Sequence, residues 1–323
     1  MMFQGMAKPE QRLWMPVSVT PPIYDGNMFV TTPLADPGGP VTVELPPPVP
    51  SSDAERWLHQ LLESNPQQRL SSTDLLALVA REPGSASAKR FWLHRLTHLT
   101  SLQRDVHVVV AGSPQYPQQL REAFGSPPML YVEGTLDPGD LNAVAIVGSR
   151  HASSAGLHAA SDVAAELAAA GHTVVAGLAV GIDTAAHEGA LAGGGRTIAV
   201  LGTGIDKVFP AENADLARRI PDHGCLVSQF LPGSPPSKTS FPARNAVIAG
   251  LSAASLLVEA TERSGTRIEA NFALAQGRPV LLWGPILGQQ QWARDFLRTP
   301  GVAMVASAAE IRDHLTESRR IGY

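Results

Sequence analysis

The chain has 323 residues, of which 44% are apolar, and a formal net charge of −4 at pH 7. This length and apolar content suffice for two domains with a substantial buried core. A strongly basic composition would by itself indicate nucleic-acid binding, and this chain does not have one. Any contact with a polyanion therefore has to be a local groove.

Apolar runs and cysteine usage narrow the class further. No apolar run approaches the ~18 residues of a membrane span, and Pro9 and Pro16 interrupt the start of the chain, where a secretory signal would need an apolar core. We therefore predict a cytoplasmic protein without a membrane contact. The single cysteine, Cys225, excludes an internal disulfide and a cysteine-rich zinc site, and we expect it to be a small buried side chain.

Proline content and periodicity divide the chain. Residues 1–50 contain many prolines and few periodic apolar positions, which predicts an extended or disordered arm. Residues 51–105 are predicted to form a small helical domain, with serine caps at Ser51-Ser52 and Ser71-Ser72. Residues 106–316 are predicted to form a larger α/β domain, and residues 317–323 a tail.

In the α/β domain, short apolar runs alternate with glycine turns and alanine-rich helical stretches. The predicted strands are 106–110, 143–147, 173–176, 197–201 and 255–259. This alternation predicts an extended Rossmann-like parallel sheet with helices on both faces. Since such sheets bind ligands beyond the carboxyl ends of their strands, we expect a phosphate-binding site there.

The turn Gly148-Ser149-Arg150 leads from a predicted strand into a helix that Ser153 or Ser154 can cap. The free amides at such a helix start, together with the helix dipole, favour an anion. Arg150 is the side chain best placed to add positive charge. The alternative is that Gly148 only permits a tight turn.

The turn from Gly177 to Asp183 repeats this arrangement. Gly177 and Gly181 let the backbone pass close to a bound group, and Asp183 is placed as an N-cap. His187 in the following helix is either a pocket group or a partner in a hydrogen bond inside the helix layer. A zinc-protease helix is excluded because Leu191 occupies the position of the second histidine.

The segment 235–245 combines a cation, an aromatic ring and a second cation: Lys238, Phe241 and Arg244. Sequence-tolerant binders of single strands pair a phosphate-tracking cation with a ring that stacks on a base. Alternatively, Phe241 fills the core and Arg244 is a surface charge.

In the helical region, His94 and His98 have the i,i+4 spacing of metal ligands, but exposed or packed histidines are the favoured interpretation.

Five ordered motifs resemble the DNA-processing protein A family, also called DprA or Smf. The motifs are 146–150, 177–187, Phe209-Pro210 with Asn213, 241–245, and Ser264-Gly265. The resemblance spans about residues 114 to 283. It implies an extended Rossmann-like domain that binds single-stranded DNA without sequence preference and helps to load RecA recombinase in transformation or recombination. It also implies no catalysis, cofactor or metal, and a homodimer as a possible assembly.

The resemblance also implies a role for each matched position. Arg150 and Lys238 would contact phosphates, Phe241 would stack on a base, and Arg244 with Asn245 would shape the pocket. Backbone amides or a close approach would come from five positions: Gly148, Ser149, Gly177, Gly181 and Gly265.

The chain departs from the family pattern, which marks it as a divergent member. Ala246 stands where a second arginine is usual, and Glu269 where a hydroxyl is usual. Gly265-Thr266 with Glu269 also resembles the lysine-decarboxylase-like (LOG) nucleotide hydrolases. In this alternative, the protein recognises or cleaves a nucleoside 5′-monophosphate, with Glu269 as the acid/base group and Arg267 holding the phosphate.

Overall fold

The computed structural model describes residues 29–31, 42–44, 53–64, 70–262 and 264–320. The strands are β1 Phe29–Thr31, β2 Thr42–Glu44, β3 Leu70–Ser71, β4 Val106–Val110, β5 Met129–Gly134, β6 Val144–Val147, β7 Val174–Ala176, β8 Thr197–Val200, β9 Gly224–Ser228, β10 Ala254–Leu257, β11 Val280–Trp283 and β12 Val302–Val305.

The α-helices lie between and around these strands. They are α1 Asp53–Glu63, α2 Ser72–Arg81, α3 Ala86–Ser101, α4 Gln118–Arg121, α5 Ser154–Ala169, α6 Ile182–Ala192, α7 Ala214–Arg219, α8 Ser240–Gly250, α9 Thr266–Ala275, α10 Gly284–Leu287, α11 Gln291–Phe296 and α12 Ala308–Arg320. Short 3-10 helices cover Pro138–Asn142, Ala211–Asn213 and Ile220–Asp222.

Ten strands form one sheet in the order β12-β11-β10-β6-β7-β8-β9-β5-β4-β3, and β1 pairs with β2 separately. From β12 to β9 the strands are parallel, whereas β5, β4 and β3 are antiparallel to their neighbours. The predicted α/β class with helices on both faces is therefore confirmed. The prediction of a parallel sheet is wrong at one end: β4 runs antiparallel to β5, and neither β5, in its proline-rich surroundings, nor β3 was predicted as a strand.

Successive side chains along each strand point alternately into two apolar layers, one on each face of the sheet, as the pleat requires. In β6, Ala145 and Val147 point into the layer below α8 and α9, whereas Val144 and Ile146 face α5, α6 and α12. Beside that second layer, α1, α2 and α3 pack on β4 and β5 with Trp92 at 0% exposure. The helical region thus shares a core with the antiparallel end of the sheet.

The predicted serine caps of two helices are confirmed. Ser71 caps α2 in a capping box with Asp74, and Ser153 caps α5 by accepting a hydrogen bond from the Gly156 amide. Cys225 is buried in β9. None of the described helices has the length and apolarity needed to cross a bilayer.

The two ends of the chain lie largely outside the described residues. Of the predicted arm 1–50, the structure describes only β1 and β2, and Ser51-Ser52 also lies outside. The last helix, α12, continues past the predicted boundary at residue 316, and Ile311 and Leu315 on it are buried against the sheet layer that holds α5.

Candidate nucleic-acid interface

The predicted phosphate-binding turns all lie at one edge of the sheet. Because β6, β7, β8, β9 and β10 are parallel, the loops that follow them lie at their common carboxyl edge. The strand order also reverses direction here, since the chain runs from β6 to β9 on one side and from β10 to β12 on the other. Open α/β sheets bind their ligands at such a switch point.

Arg150 is placed by the contact between the first two turns. Gly181 begins α6 with φ +85°, and a Cβ atom on it would overlap the Ser149 carbonyl oxygen. The Ile182 amide donates a hydrogen bond to that oxygen at 3.2 Å. The Arg150 side chain, at the outer end of the turn, is exposed. Gly181 is therefore required for conformation and close packing, and the packing presents Arg150 to solvent.

Phe241 brings the segment 235–245 to the same turn. Its ring packs on the backbone of Gly202, where an added Cβ would come within 2.8 Å of the ring. The Arg150 guanidinium carbon lies 5.2 Å from the ring centroid, within the range of a cation–π contact. Two residues that are 91 positions apart in sequence thus meet, as the motif order predicts.

Arg244 lies beneath this ring and is 5% exposed. Its guanidinium donates hydrogen bonds to the carbonyls of Gly177 and Val200, the second at 3.0 Å, and its Nε donates to Asn245 Oδ1 at 3.1 Å. Burial lowers the pKa of Arg244, although the charge of Asp183 opposes that shift. Arg244 is not a surface charge, and with Asn245 it fixes the floor of the site.

Lys238 is exposed in the turn before α8. Ser237 and Ser240 hold this turn through reciprocal hydrogen bonds: each amide donates to the other hydroxyl, at 3.0 and 2.9 Å. The turn therefore fixes the backbone three residues before Phe241, while the Lys238 ammonium remains in solvent.

Two of the backbone amides that were expected to bind an anion, those of Ser149 and Gly177, are engaged within the protein. The Ser149 amide donates to the Glu259 carbonyl at 2.7 Å, and the Gly177 amide donates to Asp183 at 3.0 Å. At the start of α5, the Glu259 carboxylate accepts from the Ser153 hydroxyl at 2.7 Å. At these positions the protein itself supplies the acceptor.

Asp183 is not the N-cap of α6, contrary to the prediction, because Gly181 occupies that position. The carboxylate is buried and accepts from the amides of Gly177 and Ala179, at 3.0 and 3.3 Å. Burial raises the pKa of Asp183, and the nearby Arg244 opposes this shift. Asp183 therefore ties its turn together from the inside.

The residues proposed for the nucleotide-hydrolase alternative differ in exposure: Glu269 is buried, whereas Arg267 is partly exposed and Gly265 is exposed. Glu269 is 1% exposed, accepts a hydrogen bond from Ser255 at 2.6 Å, and has its pKa raised to about 8 by burial. Arg267 lies over the rings of Trp292 and Phe296, at 5.7 and 5.5 Å, and Gly265 is exposed at the start of α9. A carboxyl group enclosed in the core does not face a sugar at the sheet edge, so the geometry does not favour this alternative.

His187 and His98 each have a hydrogen-bond partner within the protein. His187 is fully buried, and its Nδ1 lies 2.6 Å from the Thr197 hydroxyl, so it is not a pocket group. Burial lowers the pKa of His187 to about 3. His98 bonds to Asp206 at 3.1 Å, and with His94 it lines a shallow groove along α3.

Phe209 belongs to this site, although its sequence context alone assigns it no role. Its ring centroid lies 5.9 Å from that of Phe241, with 45° between the planes, and the side chain is 46% exposed. The sequence signal that could have indicated this residue is the motif Phe209-Pro210 with Asn213. We call Arg150, Phe209, Phe241 and Arg244 the aromatic cluster.

The open α/β sheet with helices on both faces places the chain in the Rossmann-like fold class, and its carboxyl edge carries cationic and aromatic side chains. The family model of the DNA recombination-mediator protein A matches residues 107–315, well over half of the chain. The chain belongs to this family, which confirms the resemblance seen in its motifs.

Relatives in several bacteria agree with this assignment. The chain is 41% identical to Protein Smf of Synechocystis over 55% of its own length and 46% of that protein. It is 39% identical to the DNA processing protein DprA of Streptococcus pneumoniae over 61% of the chain and 70% of that protein. It is 38% identical to Protein Smf of Escherichia coli, of which it covers 58%. The chain thus spans about half to two thirds of the length of these relatives.

Two solved structures share the fold. The X-ray structure of DprA from Streptococcus pneumoniae superposes with a TM-score of 0.62 and 30% identity, covering 82% of this chain and 98% of that one. A structure of DNA processing protein A from Helicobacter pylori gives a TM-score of 0.56 and 25% identity, covering 62% and 93%. The Helicobacter pylori protein has a unique single-stranded DNA binding mode.

Proposed function

We propose that this protein binds single-stranded DNA without sequence preference, as part of DNA processing in transformation or recombination. The observation that carries the proposal is the contact of an exposed guanidinium, that of Arg150, with the Phe241 ring at 5.2 Å on the carboxyl edge of the sheet. Lys238 adds a second exposed cation three positions before that ring.

The chemistry of these groups explains the absence of sequence preference. Arginine and lysine contact phosphates, which are the same at every nucleotide, and every base has a face that can stack on a ring. The names of the relatives, which are DNA processing proteins, and the single-stranded DNA binding of the Helicobacter pylori protein support this proposal.

The test is a fluorescence-anisotropy titration of labelled oligo-dT at several salt concentrations. We expect binding that weakens steeply with salt, and we expect Arg150→Ala and Lys238→Ala each to lower the slope of log K against log salt by ~0.7 per lost phosphate contact. Arg298→Ala is the matched control, because this arginine is 84% exposed but lies just before β12, at the amino edge of the parallel strands.

If both variants bind with the affinity and salt slope of the wild type while the wild type binds, the proposed groove is wrong. If the wild type fails to bind oligo-dT, the function itself is wrong. A duplex of equal length tests the preference for single strands in the same titration.

We also propose a role in loading RecA recombinase onto the bound strand and an assembly as a homodimer, both by resemblance to the family. A pull-down with purified RecA, with and without oligo-dT, tests the first. Sedimentation equilibrium of the full chain tests the second. Retention of RecA and a mass of two chains are the expected outcomes.

A further inference from the structure

Phe209 is one of two large apolar side chains that are exposed among the described residues; the other is Leu141. Single exposed apolar side chains are common on protein surfaces and need no function. Phe209 differs from such a residue because its ring lies 5.9 Å from a second aromatic ring, that of Phe241. Leu141, at 49% exposure, lies on the 3-10 helix that precedes β6, at the opposite edge of the parallel strands.

The inner ring of the pair is already covered by the protein. Phe241 is partly buried against Gly202 and has the guanidinium carbons of Arg150 and Arg244 at 5.2 and 5.9 Å from its centroid. Phe209 is 46% exposed and is therefore the ring with more surface open to a ligand.

The exposure of Phe209 is not the result of a loose loop. On one side, Ile205 is fully buried and the Thr203 hydroxyl donates to the Lys207 carbonyl at 2.5 Å. On the other side, the buried Asn213 amide donates to Leu178 O and Thr184 Oγ1, both at 2.9 Å. The fold thus holds an apolar ring in water at a fixed place, as a preorganised binding surface requires.

We infer that Phe209 is an outer stacking platform for an unpaired nucleobase, next to the inner platform of Phe241. This inference rests on the proposed function and deepens it, because a ring reaches the face of a base only where the base is unpaired and unstacked. Phe209 is then a residue that determines the preference for single strands over duplex, whereas Arg150 and Lys238 contact backbone phosphates that both forms carry.

The test compares wild type, Phe209→Ala, Phe209→Leu, Phe209→Trp and Leu141→Ala by anisotropy. The ligands are oligo-dT, an abasic phosphodiester of the same length, and a duplex. We expect Phe209→Ala and Phe209→Leu to weaken oligo-dT binding by roughly 5- to 150-fold, the range that corresponds to the loss of one stacked base. Binding of the abasic strand and of the duplex should not change, and Phe209→Trp should retain oligo-dT affinity.

The controls separate the possible failures. Leu141→Ala, which also removes an exposed apolar side chain, should bind as the wild type does.

If wild type does not bind oligo-dT, the proposed function fails. If wild type binds and the Phe209 variants bind equally well, the outer platform is wrong while the function stands. An equal loss on oligo-dT and on the abasic strand would also overturn the inference, since the ring would then support the cluster rather than a base. Should Phe209→Ala not fold, Leu against Trp at this position gives the same comparison.

Discussion

The two turns that follow β6 and β7 lie side by side, and each is closed by a carboxylate of the protein. Glu259 reaches the first turn from the end of β10, where both of its oxygens lie 3.1 Å from the Ser153 amide. Asp183 lies in the second turn and accepts from the Gly177 amide at 3.0 Å. Glu259 is partly exposed, whereas Asp183 is 6% exposed and lies near the buried Arg244.

This difference shows that similar glycine turns serve different ends. The first is a surface turn that presents Arg150, and its carboxylate is open to water. The second is built over buried charges, so its integrity depends on their mutual compensation. In both turns, the amides that these carboxylates bind are occupied by the protein itself.

The largest expected effect comes from removing the buried cation under the second turn. Arg244→Met loses the hydrogen bonds to the Gly177 and Val200 carbonyls and leaves Asp183 without its compensating charge. We expect the free energy of unfolding in urea to fall by about 3–5 kcal/mol. Arg298→Met, at an exposed position, should change it by less than about 0.5 kcal/mol. A similar small loss for Arg244→Met would show that this turn is not held by buried charge.

Asp183→Asn tests the carboxylate of the second turn. The side chain keeps its size but loses the charge that the Gly177 and Ala179 amides bind. Since hydrogen bonds to charged groups contribute about 1.5–3 kcal/mol, we expect a loss of about 2 kcal/mol in the free energy of unfolding, measured in urea. Unchanged stability would mean that a neutral acceptor serves the turn equally well.

The buried acid beside these charges predicts a pH dependence. Burial raises the pKa of Glu269 from 4.5 to about 8, so between these values the folded state alone keeps the proton and stability falls as pH rises. His187, with its pKa lowered from 6.5 to about 3, stabilises the fold above 6.5 and loses this contribution as pH falls. From pH 6.5 to about 8, only the decline due to Glu269 remains of these two effects.

The measurement is a series of urea titrations across that window. We expect the free energy of unfolding to fall by about 1–2 kcal/mol, on the scale of about 1.4 kcal/mol per pH unit for one proton. Glu269→Gln should flatten the profile. The same decline in the variant would assign the effect to another group.

The smallest effect is expected at the surface turn. Glu259→Gln keeps an acceptor for the Ser153 hydroxyl and amide in a partly exposed position, so we expect a loss of no more than about 1 kcal/mol in urea. The comparison of the two turns requires this loss to be smaller than that of Asp183→Asn. The reverse order would contradict the distinction between them.

Local sequence signals predicted the parts of the fold that depend on neighbouring residues. The predicted strand 106–110 has the same bounds as β4, and the caps at Ser71 and Ser153 are confirmed. The strand β5 was not predicted, because its apolar run directly follows Pro127-Pro128 and its pairing partners are distant in sequence. The role of Glu259 was equally hidden, since 106 positions separate it from Ser153.

At the candidate site, too, local motifs were informative, whereas contacts between distant residues could not be predicted. The motifs predicted which segments lie at the carboxyl edge of the sheet, so the contact between Arg150 and Phe241 could be predicted. The burial of Arg244 and the exposure of Phe209 depend on which side chains cover which rings, and no local pattern reports that.

The antiparallel extension has a consequence for the solution behaviour of the sheet. Its outermost described strand, β3, is Leu70–Ser71, and α2 begins at the next residue. A strand of this length presents too little unpaired backbone for another chain to add to it in register. Within the described residues, which leave out 65–69 directly before β3, this outermost strand therefore offers little backbone for fibrous self-association.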